Sequence, residues 1–560
     1  MNFIISNKQL VSQMPILLYL HINQNQTNMK KLYFLAVIFT TAVLHSQNPH
    51  WEWVTGIGAS FDEPHKPIAM DAEGNIYTYA AFTEDIVTDD YQLNPVGRDS
   101  YFAKFDNDGT FTWIKHIQGN GGETIWGMDT DADGNVYITC SYNNGITIGS
   151  DSFNGIGSVF AKYDTDGNRV WIKSCTFTNI NYLTVDTAGN IYAAGSFADS
   201  FVYDDVTLPG GYNNYFAIKL SNDGDYLWSD VFAEAEPSTN QSSYVNNIEI
   251  DDNGNLYLCG RFIHLDVSFG DITLNPATNL NCFVVKYSPE GVAQWAKAAG
   301  NNSCANDAYD ISVSSSGDVY LSGNYCNTIN FDGNVLTSVT GSKYFLVKYD
   351  SEGNVIWTKT SASGLYNVMQ SIDIDNDGNL IAAGSFLNSI DFGNDVSLSS
   401  TGSGQYVALY DAEGDAQWAV ATGEIDINNK IMVIAREDNT IYTAGHMQIP
   451  SLQLGDITYE RQGETLYNIW FGKFVYEDAT AGADIFKKSA VTLYPNPAKD
   501  VINITAAETV LSVSVTDNNG RLVIQQKSGD SIDTSVLSPG IYFIKTATQQ
   551  GSRVHKIIKE

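Results

Sequence analysis

The strongest constraint on this chain is a seven-residue phrase that it carries seven times. Asp71-Ala72-Glu73-Gly74-Asn75-Ile76-Tyr77 returns at Asp131–Tyr137, Asp186–Tyr192 and Asp251–Tyr257, then in altered form at Ser314–Tyr320, Asp375–Ile381 and Arg436–Tyr442. Its closing position advances by 60, 55, 65, 63, 61 and 61 residues. A period of that length marks a repeat architecture. One ordinary hydrophobic core would not serve 560 residues in any case.

A second phrase alternates with the first. Phe102-Ala103-Lys104-Phe105-Asp106, a Gly at 109 and a Trp at 113 recur over Phe160–Trp171, Phe216–Trp228, Phe283–Trp295, Phe345–Trp357 and Tyr406–Trp418. Each copy reads as a strand, an Asp/Gly turn and a second strand. In the first phrase Asp and Asn bond the turn's backbone, and Gly accepts positive φ. Four strands per period follow, with a longer link such as Ile390–Leu398 between the hairpins. The low charged fraction of 17%, with 47 Gly and 32 Tyr, suits short half-buried strands and tight turns.

Four strands repeated seven times predict an all-β, seven-bladed β-propeller. The ends of the array agree. The seventh copy, Trp470-Phe471-Gly472-Lys473-Phe474, runs into Asp478 without its Trp strand. At the other end, Trp51-Glu52-Trp53…Gly58 resembles Trp295…Gly300, so the N-terminal strand is expected to complete the last blade. An open solenoid would not need this exchange, and closure removes sheet edges that invite aggregation. The two phrases are similar to those of bacterial β-propeller repeats over about residues 51–478, a resemblance that implies scaffold and no general catalytic residue.

Residues 32–44 form an apolar run directly after Met29-Lys30-Lys31, followed by a polar exit at His45-Ser46-Gln47. That pattern predicts a secretory signal peptide over 29–47, with residues 1–28 an extension or a mis-assigned start. The run is short for a bilayer, so no transmembrane anchor is expected in the mature chain. The linker is placed at 479–486.

The formal net charge is −34, which repels a phosphate backbone and argues against nucleic-acid partners. It is unevenly spread. Residues 487–560 carry nine Lys and Arg against six Asp and Glu, a net +3 that leaves −37 on the remainder. A sign change at one boundary indicates two modules with different tasks.

Asp129-Thr130-Asp131-Ala132-Asp133-Gly134 and Asp373-Ile374-Asp375-Asn376-Asp377-Gly378 are more acidic than a turn requires. Alternating carboxylates before Gly make Asp129, Asp131, Asp133, Asp373, Asp375 and Asp377 candidate Ca2+ ligands. An EF-hand would also need a Glu where Cys140 and Gly384 stand; solvated turn acids are the competing reading, and no cofactor is certain. Ser221-Asn222-Asp223-Gly224…Trp228 approaches the Asp-box of sialidases, but no arginine cluster accompanies it. His65, His116, His264 and His446 have no metal-ligand spacing, and no nucleophile elbow or phosphate loop is present.

Six cysteines in an exported chain permit disulfides. Cys304 and Cys326 flank the hairpin centred on Ser315 symmetrically and are an expected pair. Cys259 and Cys282, near the ends of consecutive strands, are a second.

The tail opens with Tyr494-Pro495-Asn496-Pro497 and alternates short apolar runs with turns. Its markers are Asp517-Asn518-Asn519-Gly520-Arg521, Leu537-Ser538-Pro539-Gly540-Ile541-Tyr542 and Lys556-Ile557-Ile558-Lys559. These read as a small antiparallel sandwich over 487–560. The same motifs, in the same order, resemble the type A C-terminal sorting domain of the type IX secretion system. That resemblance implies export to the outer cell surface or beyond, with the secretion machinery as partner of this domain.

The expected function is binding or adhesion to a protein or glycan on one propeller face. The alternative is a secreted carbohydrate-active hydrolase or lyase with acids in the channel; an enzyme is disfavoured, and no catalytic residue is assigned. Converging acids would favour catalysis, and an open aromatic face binding.

Overall fold

The computed structural model describes residues 50–559 apart from short segments, the longest being 235–243, 423–430 and 477–490. The expected leader, linker, Cys304, Pro495 and Gly520 therefore lie outside the described residues. Every described element is a strand.

Seven four-stranded antiparallel units follow the repeats. Their first strands are Ile68–Met70, Glu123–Thr130, Asn179–Val185, Tyr244–Ile250, Asp307–Val313, Asn367–Ile374 and Ile431–Arg436. The first six sheets are continuous in sequence. The seventh joins Ile431–Arg436, Thr440–Met447 and Tyr467–Val475 to the N-terminal strand His50–Ala59. That strand runs antiparallel to Tyr467–Val475, with Gly56 opposite Trp470.

Each sheet buries both faces against its neighbours. Apolar clusters join the first and second sheets through Phe102 and Val159, and the second and third through Phe160 and Phe216. The series continues sheet by sheet, and Phe105 and Phe471 join the seventh back to the first. Fully burying one such side chain is worth roughly 1.5–3 kcal/mol.

The repeated phrases are explained by contacts between sheets. Asp131 accepts from the backbone N–H of Asp133 at 3.1 Å and of Asn135 at 2.9 Å, and from the hydroxyl of Tyr137 at 2.8 Å. The tyrosine hydroxyl also reaches the next sheet, as Tyr192 does by donating to the Gly254 carbonyl at 3.1 Å. The tryptophan of one sheet lies beneath the turn glycine of the next. A Cβ at Gly291, where φ is +82°, would stand 2.5 Å from Trp228. The indole N–H of Trp228 donates to Pro289 in that same turn at 2.9 Å, and Trp171 donates likewise to Asn222.

The link within each period is more than a connector. It forms a further hairpin, as in Ile146–Ile148 with Asp151–Phe153, or lengthens the central strands, as in Leu380–Gly393 with Val396–Tyr410. Ile146 pairs with Gly119 on the last strand of the preceding sheet, which covers an edge otherwise open to association.

The tail forms a three-stranded and a four-stranded sheet around Ile502, Val513, Val515, Ile532, Ile544 and Ile557.

Candidate functional site

The first strands of all seven sheets line one cavity of about 520 Å3. Five of these strands carry an irregularity at the same repeat position. Pairing skips Trp126, Asn246, Tyr309 and Gln370, and Ile180-Asn181 in the third sheet. Counting back five residues from the phrase's first position reaches Trp126, Asn181, Asn246, Tyr309 and Gln370, and in the first repeat Lys66. A β-bulge re-aims a side chain. Asn246, Tyr309 and Gln370 line the cavity together with Tyr244 and Tyr366.

Two residues before the phrase stand Asp129, Glu249 and Asp373, which line the same cavity. In an unbroken strand, positions three apart point to opposite faces. The bulge therefore brings amide or aromatic and carboxylate to one side.

Most of these acids are engaged by the neighbouring sheet. Asp129 accepts from Val185 N–H at 3.0 Å, Asp310 from Ile372 N–H at 2.8 Å and Asp373 from Ala435 N–H at 2.8 Å. Burial raises the pKa of Asp129 and Asp310 and pushes Asp373 up to about 6, partly offset by these N–H donors. Glu249 is held more weakly, by Ile250 N–H at 3.4 Å and the Lys66 ammonium at 3.8 Å. Burial pushes Glu249 up to about 7. Burial opposes the charge on Lys66, but Glu249, Asp310, Asp129 and Asp373 outweigh it and hold its pKa above the usual value.

At the tyrosine-lined end, Arg261 Nη1 lies 3.1 Å from Asp307 Oδ1, and its guanidinium sits over the Tyr244 ring at 4.2 Å. The chemistry offered is a recess with ring faces, planar amides and carboxylates.

The proposed Ca2+ residues are not brought together as ligands. Asp129 and Asp373 face the cavity and bond the next sheet. Asp131 and Asp375 are spent within their turns on the N–H groups of Asp133, Asn135, Asp377 and Asn379. Among the described residues no group of three or more His, Cys, Asp and Glu could hold a metal. The calcium expectation is corrected on that geometry.

The Cys259–Cys282 pairing is also corrected. Both are free and buried. Cys259 stands opposite Val284 and Cys282 opposite Arg261, which makes the two cysteines diagonal neighbours. That diagonal spans roughly 7–8 Å, whereas a disulfide wants Cα atoms about 4.4–6.8 Å apart. Cys326 is disulfide-bonded; its expected partner, Cys304, lies outside the described residues.

The tail's motif residues are structural neighbours. The Asn496 side chain accepts from Ile558 N–H at 2.9 Å, and Asn496–Pro497 is cis. Arg521 pairs with Asp517 at 3.1 Å, and the Tyr542 hydroxyl donates to Ser538 at 3.0 Å. Gly540 opens the strand Gly540–Thr548, opposite Lys559, and Tyr494 is half exposed. Lys559 is buried at 8% exposure, and Lys556 stands opposite Phe543.

Residues 492–560 match the family described as Secretion system C-terminal sorting domain. The chain carries a type IX secretion sorting domain. The sorting domain implies contact with that machinery and export to the cell surface or the extracellular space. The repeat region is similar to WD-repeat propellers. An uncharacterised WD repeat-containing protein of Acanthamoeba polyphaga mimivirus is 25% identical over 456 residues, covering 70% of this chain. The match spans only 30% of that relative's length. Among solved structures, an ulvan lyase of a polysaccharide lyase family aligns with a TM-score of 0.39 and 11% identity, covering 74% of this chain and 96% of its own. The C-terminal WD40 domain of Sif2 aligns with a TM-score of 0.35 and 9% identity, covering 77% and 99%. No helix among the described residues is long and apolar enough to cross a membrane.

The bulged residues escaped the sequence reading because they do not repeat in type. The signal that finds them is positional: the fifth residue before each phrase.

Proposed function

We propose that the chain is an exported, closed seven-bladed propeller that binds a glycan at the mouth of its central channel. The propeller spans about 48–478, follows a signal peptide at 29–47, and is delivered by the sorting domain at 487–560 across a 479–486 linker. The observation that carries the binding reading is the bulge in five first strands, with Asn246, Tyr309 and Gln370 lining the cavity beside Tyr244 and Tyr366. A ring face packs against the C–H surface of a sugar, and a planar amide both donates to and accepts from its hydroxyls. A recess of this size suits a few sugar units better than a flat protein surface.

A secreted hydrolase or lyase is the second reading. It rests on Glu249, whose carboxyl is raised to about 7 and faces the cavity. Asp129, Asp310 and Asp373 are bonded to neighbouring backbone and Asp307 to Arg261, which favours binding over turnover. A glycan array probed with the full exported protein and with Tyr309→Ala tests the first reading: signals that disappear in the variant support it, and identical profiles overturn it. Product release from any bound polysaccharide, abolished by Glu249→Gln, would favour the second.

A further inference from the structure

Resting on the glycan reading, we propose that the channel selects sugars bearing free amines and rejects chains bearing uronate or sulfate. Each cation at or beside the cavity already has an acceptor, although Nε of Arg261 and of Arg436 is buried without one among the described residues. Lys66 faces Glu249 at 3.8 Å, Arg261 is paired with Asp307 at 3.1 Å and stacked on Tyr244, and Arg436 donates to the Asp71 carbonyl. An anionic sugar would compete with these acceptors for each cation. It would also approach Asp129, Glu249, Asp307, Asp310 and Asp373, all of which line the cavity. Like charges brought together in a recess shielded from water repel more strongly than on an open surface.

An ammonium meets the reverse situation. Asp129, Asp310 and Asp373 already accept short bonds from the next sheet, but Glu249 has only a 3.4 Å N–H and the Lys66 ion pair at 3.8 Å, which an arriving ammonium would share. Its acceptor capacity is the least used among those acids. The rings of Tyr309 and Tyr366 around the same cavity attract a cation as well as a C–H surface. Burial holds the Glu249 carboxyl partly protonated near neutrality. An arriving ammonium favours the carboxylate, so binding drives a proton from Glu249 into the buffer.

The test uses the full-length exported protein and three hexamers: β-1,4-linked glucosamine, its fully N-acetylated form, and a uronate hexamer. Calorimetry near pH 7 in two buffers of different ionisation enthalpy reads affinity and proton release together. The expected result is glucosamine binding about tenfold tighter than the N-acetylated form, with proton release, and no uronate binding. Glu249→Gln should bring glucosamine to the N-acetylated level and abolish the proton release. Because an acidic surface attracts any polyamine, Asp395→Asn at an exposed hairpin tip is the control. Equal weakening by both variants, or uronate binding as tight as glucosamine, overturns the proposal while leaving the glycan site standing. Failure of all three hexamers, together with a blank glycan array, overturns the glycan reading itself.

Discussion

The hydroxyl of Tyr476 donates to Asp375 at 3.0 Å, across 101 residues of sequence. In the first four sheets the phrase's own tyrosine makes this bond, as Tyr257 does to Asp251 at 3.0 Å. The sixth sheet has Ile381 in that place, and the residue just beyond the last strand of the seventh sheet's continuous run supplies the missing hydroxyl. The join between the two sheets is thus completed by a side chain from outside the repeat. Tyr476→Phe should lower stability by about 1–2 kcal/mol, the usual cost of stripping a donor from a buried acceptor. A double-mutant cycle with Asp375→Asn in urea melts checks it, and additive effects would show that the bond contributes nothing.

Glycines with positive φ divide by what lies above them. Gly291→Ala places a methyl group against Trp228 as well as straining the backbone, and should cost about 3 kcal/mol or more. Gly333→Ala, at a hairpin tip where nothing lies within 4 Å, pays the backbone strain alone, about 1 kcal/mol. Comparing the two midpoints of thermal unfolding tests the claim that the tryptophan, more than the turn, fixes the glycine.

Two acids, Glu123 and Asp99, meet between the first two sheets. Burial, then the neighbouring Asp99, pushes Glu123 up to about 7, and His116 lies 2.7 Å from Asp99. A carboxyl whose folded pKa is raised holds its proton more tightly in the folded state. Its stabilising contribution is complete below the unfolded pKa of about 4.3 and is lost as pH rises through about 7. Melting temperature should therefore fall between pH 5 and 8 by a margin that Glu123→Gln reduces, checked by melts of both proteins across that range.

The turns, the Trp strands and the exchange of chain ends were legible in the sequence because they are set by neighbours a few residues away. Asp131, Gly134 and Tyr137 do in the structure what their types suggest. The cavity lining was not legible. Asn246 and Glu249 share the channel only because pairing skips a residue between Val245 and Asn247, and a strict alternation of two hides that. The cysteines failed for a related reason: a shift of two positions in register separates Cys259 from Cys282, and strand ends alone do not fix register.

Four described cysteines are free and buried, and burial raises the thiols of Cys175 and Cys282 up to about 12. Folded protein should therefore react with none of a thiol reagent at pH 8, and denatured, unreduced protein with four equivalents. Six equivalents would rule out the disulfide at Cys326.

The sorting domain leads to an expectation for the living cell. Deleting residues 487–560 should leave a folded propeller that no longer reaches the surface, read by surface proteolysis and fractionation. Undisturbed surface delivery would remove the sorting role.

The most direct measurement of the central claim is the affinity of the full-length protein for the best oligosaccharide from the array, set against three variants. Tyr309→Ala and Gln370→Leu alter bulged channel residues, whereas Val339→Ser alters a side chain 90% exposed on a hairpin. Binding weakened at least about tenfold by the first two and unchanged by the third is the predicted result. Unchanged affinity in both channel variants, with loss in Val339→Ser, would place the ligand on the hairpins and contradict a channel site.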